Sequence, residues 1–217
     1  MIDIITCDGL SNCYVINFKN GDDEIISIII DPSVYYKKII KYIKGKIKAI
    51  ILTHGHYDHF SQLESFINGV TYDIDVYFHK NAFDKLQDSY KNCSYLFGYN
   101  FTIDVNKLKY QFVSDKIIIN YPNGEKEELD VIYTPGHTDC SITIKYDYYL
   151  FTGDFIFKNS IGRTDLYSGD FYQEMNSLKY LKSLIKYDSI EDYYIYPGHD
   201  AFTTLKDELK NNFYLSK

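Results

Sequence analysis

Three histidines and an aspartate directly follow an apolar segment near residue 50, and this arrangement limits the folds that the chain can adopt. Residues 48–53 have the apolar character of a strand that is covered on both faces. They run into the segment Thr53-His54-Gly55-His56-Tyr57-Asp58-His59. Ligand sites in α/β proteins are commonly built at the carboxyl ends of strands. The motif therefore predicts an α/β fold with a site at one edge of a sheet.

Three later segments repeat this arrangement. In each, a His or Asp follows a predicted strand next to Gly or Pro, and glycine lets the backbone turn sharply there. Five of the six histidines fall within the four motifs, which is improbable by chance. The sixth, His79, has no neighbouring ligands and is predicted to be structural. The three later segments are Thr134-Pro135-Gly136-His137-Thr138, Thr152-Gly153-Asp154 and Tyr196-Pro197-Gly198-His199-Asp200.

The number of metal-capable side chains favours two ions. Four of them within six residues are too many for one tetrahedral ion that keeps an open position. All motifs together supply enough ligands for two sites of three residues each with one shared carboxylate. His and Asp accept zinc, iron and manganese alike, and zinc is the first expectation. The candidate ligands are His54, His56, Asp58, His59, His137, Asp154 and His199.

Hydrophobic periodicity predicts strands and helices interspersed along the whole chain. No repeat, low-complexity linker or domain boundary interrupts residues 1–217, so one domain with two packed sheets and outer helices is expected. Residues 93–114 are rich in aromatic side chains without a clean period, and a partly ordered excursion is expected there. The predicted strands are 2–6, 12–18, 25–31, 48–53, 74–79, 117–120, 126–133, 141–146, 148–152 and 193–196. The predicted helices are 34–44, 58–68, 81–90, 170–186 and 203–213, the last capped by Thr203 or Thr204.

Composition excludes several classes of protein. There are 23 basic and 30 acidic residues, a net charge of −7, which argues against nucleic-acid binding. No apolar run approaches the ~20 residues that span a bilayer, and the N-terminus lacks the features of a secretory signal. The four cysteines are expected to be reduced thiols in a cytoplasmic protein. We expect a monomer or weak homodimer with a small-molecule substrate.

The motifs resemble those of the metallo-β-lactamase-fold hydrolases, and within them the glyoxalase II-like group. The resemblance covers nearly the whole chain and implies an αββα sandwich, in which two mixed sheets are flanked by helices and metals lie at one edge. The matching segments are the HxHxDH signature at 54–59, then TPGHT, FTGD and PGH in the same order, with Asp31-Pro32 and Asn12-Cys13-Tyr14 earlier.

The resemblance also implies roles for individual residues. The first metal would be held by His54, His56 and His137, and the second by Asp58, His59 and His199. Asp154 would bridge the two ions, and both Asp58 and Asp154 would be catalytic. Asp31 would orient a ligand rather than bind metal itself.

Thioester hydrolysis, as in hydroxyacylglutathione hydrolases, is the leading prediction. Two metals that share a water lower its pKa, so no Ser or Cys nucleophile is needed. Full-length glyoxalase II enzymes carry a helical C-terminal extension that binds glutathione. About 18 residues follow His199, room for one helix, so a small form without this extension is expected and the thiol carrier stays open.

Two alternatives remain from the same residues. The segment Gly162-Arg163-Thr164-Asp165 also resembles persulfide dioxygenases, which would hold one iron through His54, His137 and Asp154. Lactone hydrolysis is the other. Arg163, the single Arg of the chain, could grip a substrate carboxylate or pair with Asp165, Asp170 or a carbonyl. The aromatic residues Tyr95, Phe97, Tyr99 and Phe101 could line a pocket or pack in the core.

Overall fold

A computed structural model describes residues 2–185 and 193–216. The first half of the chain forms a six-stranded mixed sheet in the order β1-β2-β3-β4-β5-β6. Its first three strands pair antiparallel, and β3 to β6 pair parallel. The strands are β1 Ile2–Asp8, β2 Asn12–Lys19, β3 Ile25–Ile30, β4 Lys46–Ile51, β5 Asp75–Phe78 and β6 Tyr110–Phe112.

The second half forms another six-stranded sheet in the order β14-β13-β10-β9-β8-β7. Its pairs are antiparallel except β10 with β13. A two-stranded hairpin of β11 and β12 lies outside it. The strands are β7 Lys116–Asn120, β8 Lys126–Tyr133, β9 Ile142–Tyr146, β10 Tyr149–Gly153, β11 Ile156–Phe157, β12 Ser160–Ile161, β13 Tyr194–Pro197 and β14 Thr203–Thr204.

The central core lies between the two sheets. Ile28 and Ile30 of β3 pack there with Ile144 and Phe151 of the second sheet. Ile29 points the other way, into a cluster with the helices that cover the first sheet. This alternation follows from the two-residue period of a strand, and a third cluster joins the second sheet to its own helices. The layers therefore confirm the predicted αββα sandwich.

Three predicted helices are shorter in the structure because distant groups take their backbone hydrogen bonds. Within 58–68, the Gln62 amide donates to Pro32 O at 2.9 Å, and the helix breaks after residue 60. Within 34–44, the Lys44 amide donates to the Asn17 side chain. Within 81–90, Leu86 O accepts from Ile103. The helices are α1 Tyr36–Ile39, α2 Tyr57–Phe60, α3 Leu63–Ile67, α4 Phe83–Leu86, α5 Phe171–Leu184 and α6 Leu205–Asn211, and 3₁₀ turns at Ile40–Tyr42 and Lys80–Ala82 adjoin α1 and α4.

The remaining segments mix agreement and correction. Residues 93–114 are more ordered than expected, with 3₁₀ turns at Ser94–Phe97 and Val105–Lys107 before β6. The segment 203–213, predicted as the last helix, begins with the strand β14. The helix α6 follows it, and the Thr204 side chain caps this helix by accepting from the Asp207 amide. The predicted end of the 170–186 helix at Lys186 lies outside the described residues. None of the described helices has the length and apolar character needed to cross a membrane.

Candidate metal centre

All seven predicted ligands meet at one edge of the sandwich. Each lies in the loop or short helix that follows the carboxyl end of a strand. His54 and His56 follow β4, His137 follows β8, Asp154 follows β10, and His199 follows β13. Asp58 and His59 lie on α2, which directly continues the loop after β4. The convergence of four strand ends therefore builds the site.

The seven side chains form overlapping groups of three. In each group, the candidate ligand atoms lie within 4.8 Å of one another. Two groups reproduce the two sets that the family resemblance implies, and the third includes Asp154 with one histidine from each set. The groups are His54, His56 and His137; Asp58, His59 and His199; and His54, His59 and Asp154.

Asp154 lies between the two sets of ligands. Its Oδ1 is 3.1 Å from His59 Nε2, and its Oδ2 is 3.5 Å from the Nε2 atoms of both His137 and His199. Asp58 Oδ2 lies 3.1 Å from His199 Nε2. The two carboxylates thus lie among imidazoles. Such an arrangement of ligand atoms can bind cations at two neighbouring positions.

The histidine nitrogens fit a divalent metal. Within the described chain, His54 Nε2 is buried without a hydrogen-bond partner, and the His56 nitrogen that faces the cluster is Nδ1, 2.9 Å from His137 Nε2. Burial, with neighbouring histidines, holds the pKa of His54 well below its usual range and lowers that of His56 to about 3. Both rings are therefore neutral, which is the form that binds a metal ion. Unpaired buried nitrogens are costly unless a Lewis acid occupies their lone pairs.

Comparison with known proteins decides the family. A model of the Metallo-beta-lactamase superfamily matches residues 8–199. The chain belongs to the metallo-β-lactamase superfamily. Membership supports a metal-dependent hydrolase, and the His and Asp cluster suits a divalent metal site.

The chain is similar to one curated protein and to two solved structures that are described here. The chain is 30% identical over 215 residues to the hydroxyacylglutathione hydrolase GloC of Haemophilus influenzae, covering 94% of this chain and 92% of that protein. The crystal structure of the BLEG-1 B3 metallo-beta-lactamase superposes with a TM-score of 0.80 at 28% identity, over 100% of both chains. The structure of TTHA1623 in a di-iron-bound form superposes with a TM-score of 0.74 at 24% identity, over 98% and 100%.

Asp31 forms hydrogen bonds to two residues of the first motif. Its carboxylate accepts hydrogen bonds from the Thr53 amide at 2.8 Å and the Thr53 hydroxyl at 2.6 Å. It also lies 2.8 Å from His59 Nδ1. With Nδ1–H donating to the carboxylate, the Nε2 lone pair of His59 faces the cluster. The structure thus places Asp31 where the resemblance predicted an orienting residue.

Arg163 contributes to the site through its backbone. His137 Nδ1–H donates to Arg163 O at 2.7 Å, which directs Nε2 of that ring into the cluster. The guanidinium pairs with both carboxylate oxygens of Asp165, each at 2.7 Å. This is one of the pairings that the sequence left open. The side chain also lines the cavity beside the cluster.

Glu174 of α5 is a site residue that sequence reasoning missed. Its buried carboxyl Oε2 accepts from the His137 amide at 2.7 Å. The same end of α5 also contacts the two residues before His137. The Asp170 amide donates to Gly136 O at 2.7 Å, and the Ser177 hydroxyl donates to Pro135 O at 2.6 Å. An acidic residue on the apolar face of a helix was the available signal, because such residues are rarely buried without a partner.

The close contact with Glu174 also explains the glycine of this turn. Gly136 has φ of +152°, and a Cβ there would collide with the backbone and carboxyl group of Glu174. Only glycine lets the turn approach α5 so closely. The His137 backbone is therefore fixed by α5 on one side and by its own ring hydrogen bond on the other.

Substitution of Glu174 tests this support. Burial raises the pKa of Glu174 to about 9, so at neutral pH the group is an uncharged acid that glutamine imitates. We expect Glu174→Gln to keep the native zinc affinity within threefold. Glu174→Leu leaves the His137 amide without an acceptor and should weaken zinc binding about tenfold or more. Competition with a chromogenic chelator measures both, and equal affinities for the two variants would contradict the role.

Metal addition should stabilise the apoprotein strongly. A ligand at a thousand times its Kd contributes about 4 kcal/mol, and for a chain of this size ~2–4 °C corresponds to each kcal/mol. Zinc should therefore raise the Tm of chelator-treated protein by about 10 °C. Magnesium, which prefers oxygen ligands, is the matched control and should shift Tm little. A zinc shift no larger than the magnesium shift would argue against a nitrogen-rich site.

His79 lies outside the cluster, as expected from its sequence context. Its ring stacks on Tyr133 with centroids 4.6 Å apart and planes at 14°. Its Nδ1 accepts from the Asn81 amide and caps the 3₁₀ turn that follows β5. These contacts are structural, and they make His79 a useful control for substitutions of the other histidines.

Proposed function

We propose that this chain is a di-metal hydrolase of thioesters. In this proposal His54, His56 and His137 would hold one ion, Asp58, His59 and His199 would hold the other, and Asp154 would contribute to both. The observation that carries it is the position of the Asp154 carboxylate, within 3.1–3.5 Å of histidines from both sets. Zinc is the expected metal, and iron or manganese would suit the same donors.

The chemistry follows from this arrangement of ligands. A pair of divalent ions held by these residues would supply a water nucleophile of lowered pKa and would polarise the substrate carbonyl. The residues of the chain hold that geometry: Asp31 fixes the His59 ring, and the Arg163 carbonyl fixes the His137 ring. Hydrogen bonds of this kind fix the orientation of the rings that would bind metal.

Nucleophilic catalysis by cysteine has no support in the structure. All four cysteines are buried and free. Burial raises the pKa of each thiol, most strongly that of Cys13. A raised pKa keeps a thiol protonated and unreactive near neutral pH. In this proposal the nucleophile would be a water activated by the bound metal ions, and the cysteines would take no part in the attack.

One observation favours a thioester substrate, and a second favours a small one. The similarity to GloC of Haemophilus influenzae extends over nearly the whole chain. A cavity of about 500 Å³ opens directly on His56, Asp58, His137, Asp154 and His199. This volume suits a small molecule, so the proposed partner is a low-molecular-weight thioester.

Persulfide dioxygenation by a single iron is the second candidate. The loop that carries Arg163 holds His137, and His54 and Asp154 lie beside it in the cluster. These three residues would leave His59 and His199 outside the reaction. That consequence separates the two candidates experimentally.

A substrate panel tests the proposal. The metal-loaded protein is assayed with S-lactoylglutathione, simple acyl thioesters, an acyl homoserine lactone, a chromogenic cephalosporin and glutathione persulfide. We expect kcat/KM for at least one thioester to exceed that for the lactone and the cephalosporin by tenfold or more. Oxygen uptake that depends on persulfide, with no thioester hydrolysis, would replace this function by the second candidate.

A further inference from the structure

We propose that the cavity beside the metal cluster selects thioesters whose acyl group is uncharged and apolar. This inference rests on the proposed function and defines its substrate class. It is carried by the chemistry of the cavity walls, which differs from that of the cluster at the bottom. The walls are apolar on two sides and offer a charged substrate group no unpaired cation among the described residues that line them.

The apolar walls come from two separate segments. One is the 3₁₀ turn Ser94–Phe97 with the residue before it, and the other is the β11–β12 hairpin with the loop that follows. The Phe157 ring lies 5.9 Å from the His199 ring, so the second wall reaches the cluster itself. The apolar lining residues are Cys93, Leu96, Phe97, Phe157, Ile161 and Leu166.

The first wall is both exposed and held in place. Leu96 and Phe97 are 50% and 56% exposed, a large apolar surface at the mouth of a reactive site. The centroid of the Tyr57 ring lies 6.2 Å from that of Phe97 and 4.8 Å from that of Phe101. These contacts pack the turn against α2, which carries two of the predicted ligands. Adjacent exposed apolar side chains that also line a cavity form a contact surface for a ligand. An acyl chain attached to a carbonyl at the cluster would cover it.

The charges of the cavity oppose an anionic substituent. Apart from the cluster, the charged residues that line it are Arg163 and Asp200. Asp165 already accepts from two nitrogens of the Arg163 guanidinium. Asp165 thus compensates the guanidinium charge, and a carboxylate held against these walls would lose hydration without meeting a net positive charge from them.

Binding of non-hydrolysable thioethers tests the inference. The probes are the S-ethyl, S-butyl and S-hexyl thioethers of N-acetylcysteamine, which is neutral, and the S-pentyl and S-(4-carboxybutyl) pair. Their Kd values are measured by calorimetry on the metal-loaded protein. Burial of each methylene contributes about twofold to fourfold in affinity. We expect the S-hexyl compound to bind at least tenfold tighter than S-ethyl, and the carboxylate compound at least threefold weaker than S-pentyl.

Variants of one turn make the test specific. Phe97→Ala should reduce the ratio of S-hexyl to S-ethyl affinity at least fivefold. Tyr95→Ala is the matched control, because Tyr95 lies on the same turn, stacks on Tyr90 and does not line the cavity. It should keep the native ratio within twofold. A native ratio below threefold, or a carboxylate compound that binds as tightly as S-pentyl, would overturn the inference.

A turnover arm separates this inference from the proposed function. Acetyl and hexanoyl thioesters of the same thiol are assayed in parallel with the binding measurements. Hydrolysis of both with no preference for the longer chain leaves the function standing and overturns the apolar selection. Chain-length-dependent binding without any hydrolysis supports the apolar cavity and contradicts the thioesterase function.

Discussion

Replacing His59 by alanine should lower kcat/KM for thioester hydrolysis about a thousandfold or more. His59 is fully buried, lies 3.1 Å from Asp154 and is oriented by Asp31. In a di-metal reaction its loss removes one of the three ligands of the second ion, and metal ions supply several kcal/mol of transition-state stabilisation. Steady-state kinetics and metal analysis of the variant measure the effect.

The same variant distinguishes the two candidate reactions. A single iron held by His54, His137 and Asp154 does not need His59. Substantial persulfide-dependent oxygen uptake by His59→Ala would therefore favour the alternative reaction. His79→Ala is the matched control, since His79 packs on Tyr133 away from the cluster. The control should retain two metals per chain and native kcat/KM within about twofold.

Replacing Asp154 by asparagine should weaken binding of both metals. The carboxylate lies near three histidine Nε2 atoms from the two ligand sets. The amide is neutral, and its NH₂ group has no lone pair for a cation. We expect at least a hundredfold loss of metal affinity, beyond the ~10–100-fold typical of outer hydrogen-bond partners, with activity falling in parallel.

A second Asp→Asn change controls for the chemistry of this substitution. Asp147 is an exposed turn residue with φ of +51°, a conformation that asparagine accepts readily. Asp147→Asn should bind two metals with native affinity. Retention of two equivalents by Asp154→Asn, measured by chelator competition, would contradict a bridging role. Thermal melts of both variants check that the fold persists.

The layered fold could be predicted because its central strands are nearly continuous apolar runs bounded by turn residues. In β3, the side chains of Ile28 and Ile30 face the second sheet and that of Ile29 faces the helices, so both faces of the strand are buried. The short covering helices could not be predicted from a local pattern. Their limits are set by hydrogen bonds to residues far along the chain, such as Gln62 to Pro32.

The ligands were accessible to sequence reasoning because each lies beside a glycine or a proline, or within the first motif. Their supports were less accessible. Glu174 accepts from a backbone amide 37 positions away, and a backbone donor leaves no residue-specific mark in the sequence. For Arg163, a separation of two residues permits pairing with Asp165 but does not dictate it, and only the structure shows both hydrogen bonds.

Titration of the apoprotein with metal tests the central proposal most directly. Zinc, and separately iron, is added in fractions of an equivalent while bound metal and thioester hydrolysis are followed together. The di-metal account predicts that hydrolysis rises mainly with the second equivalent and saturates at two ions per chain. Full activity at one equivalent, or one iron per chain with persulfide-dependent oxygen uptake and no hydrolysis, would contradict it.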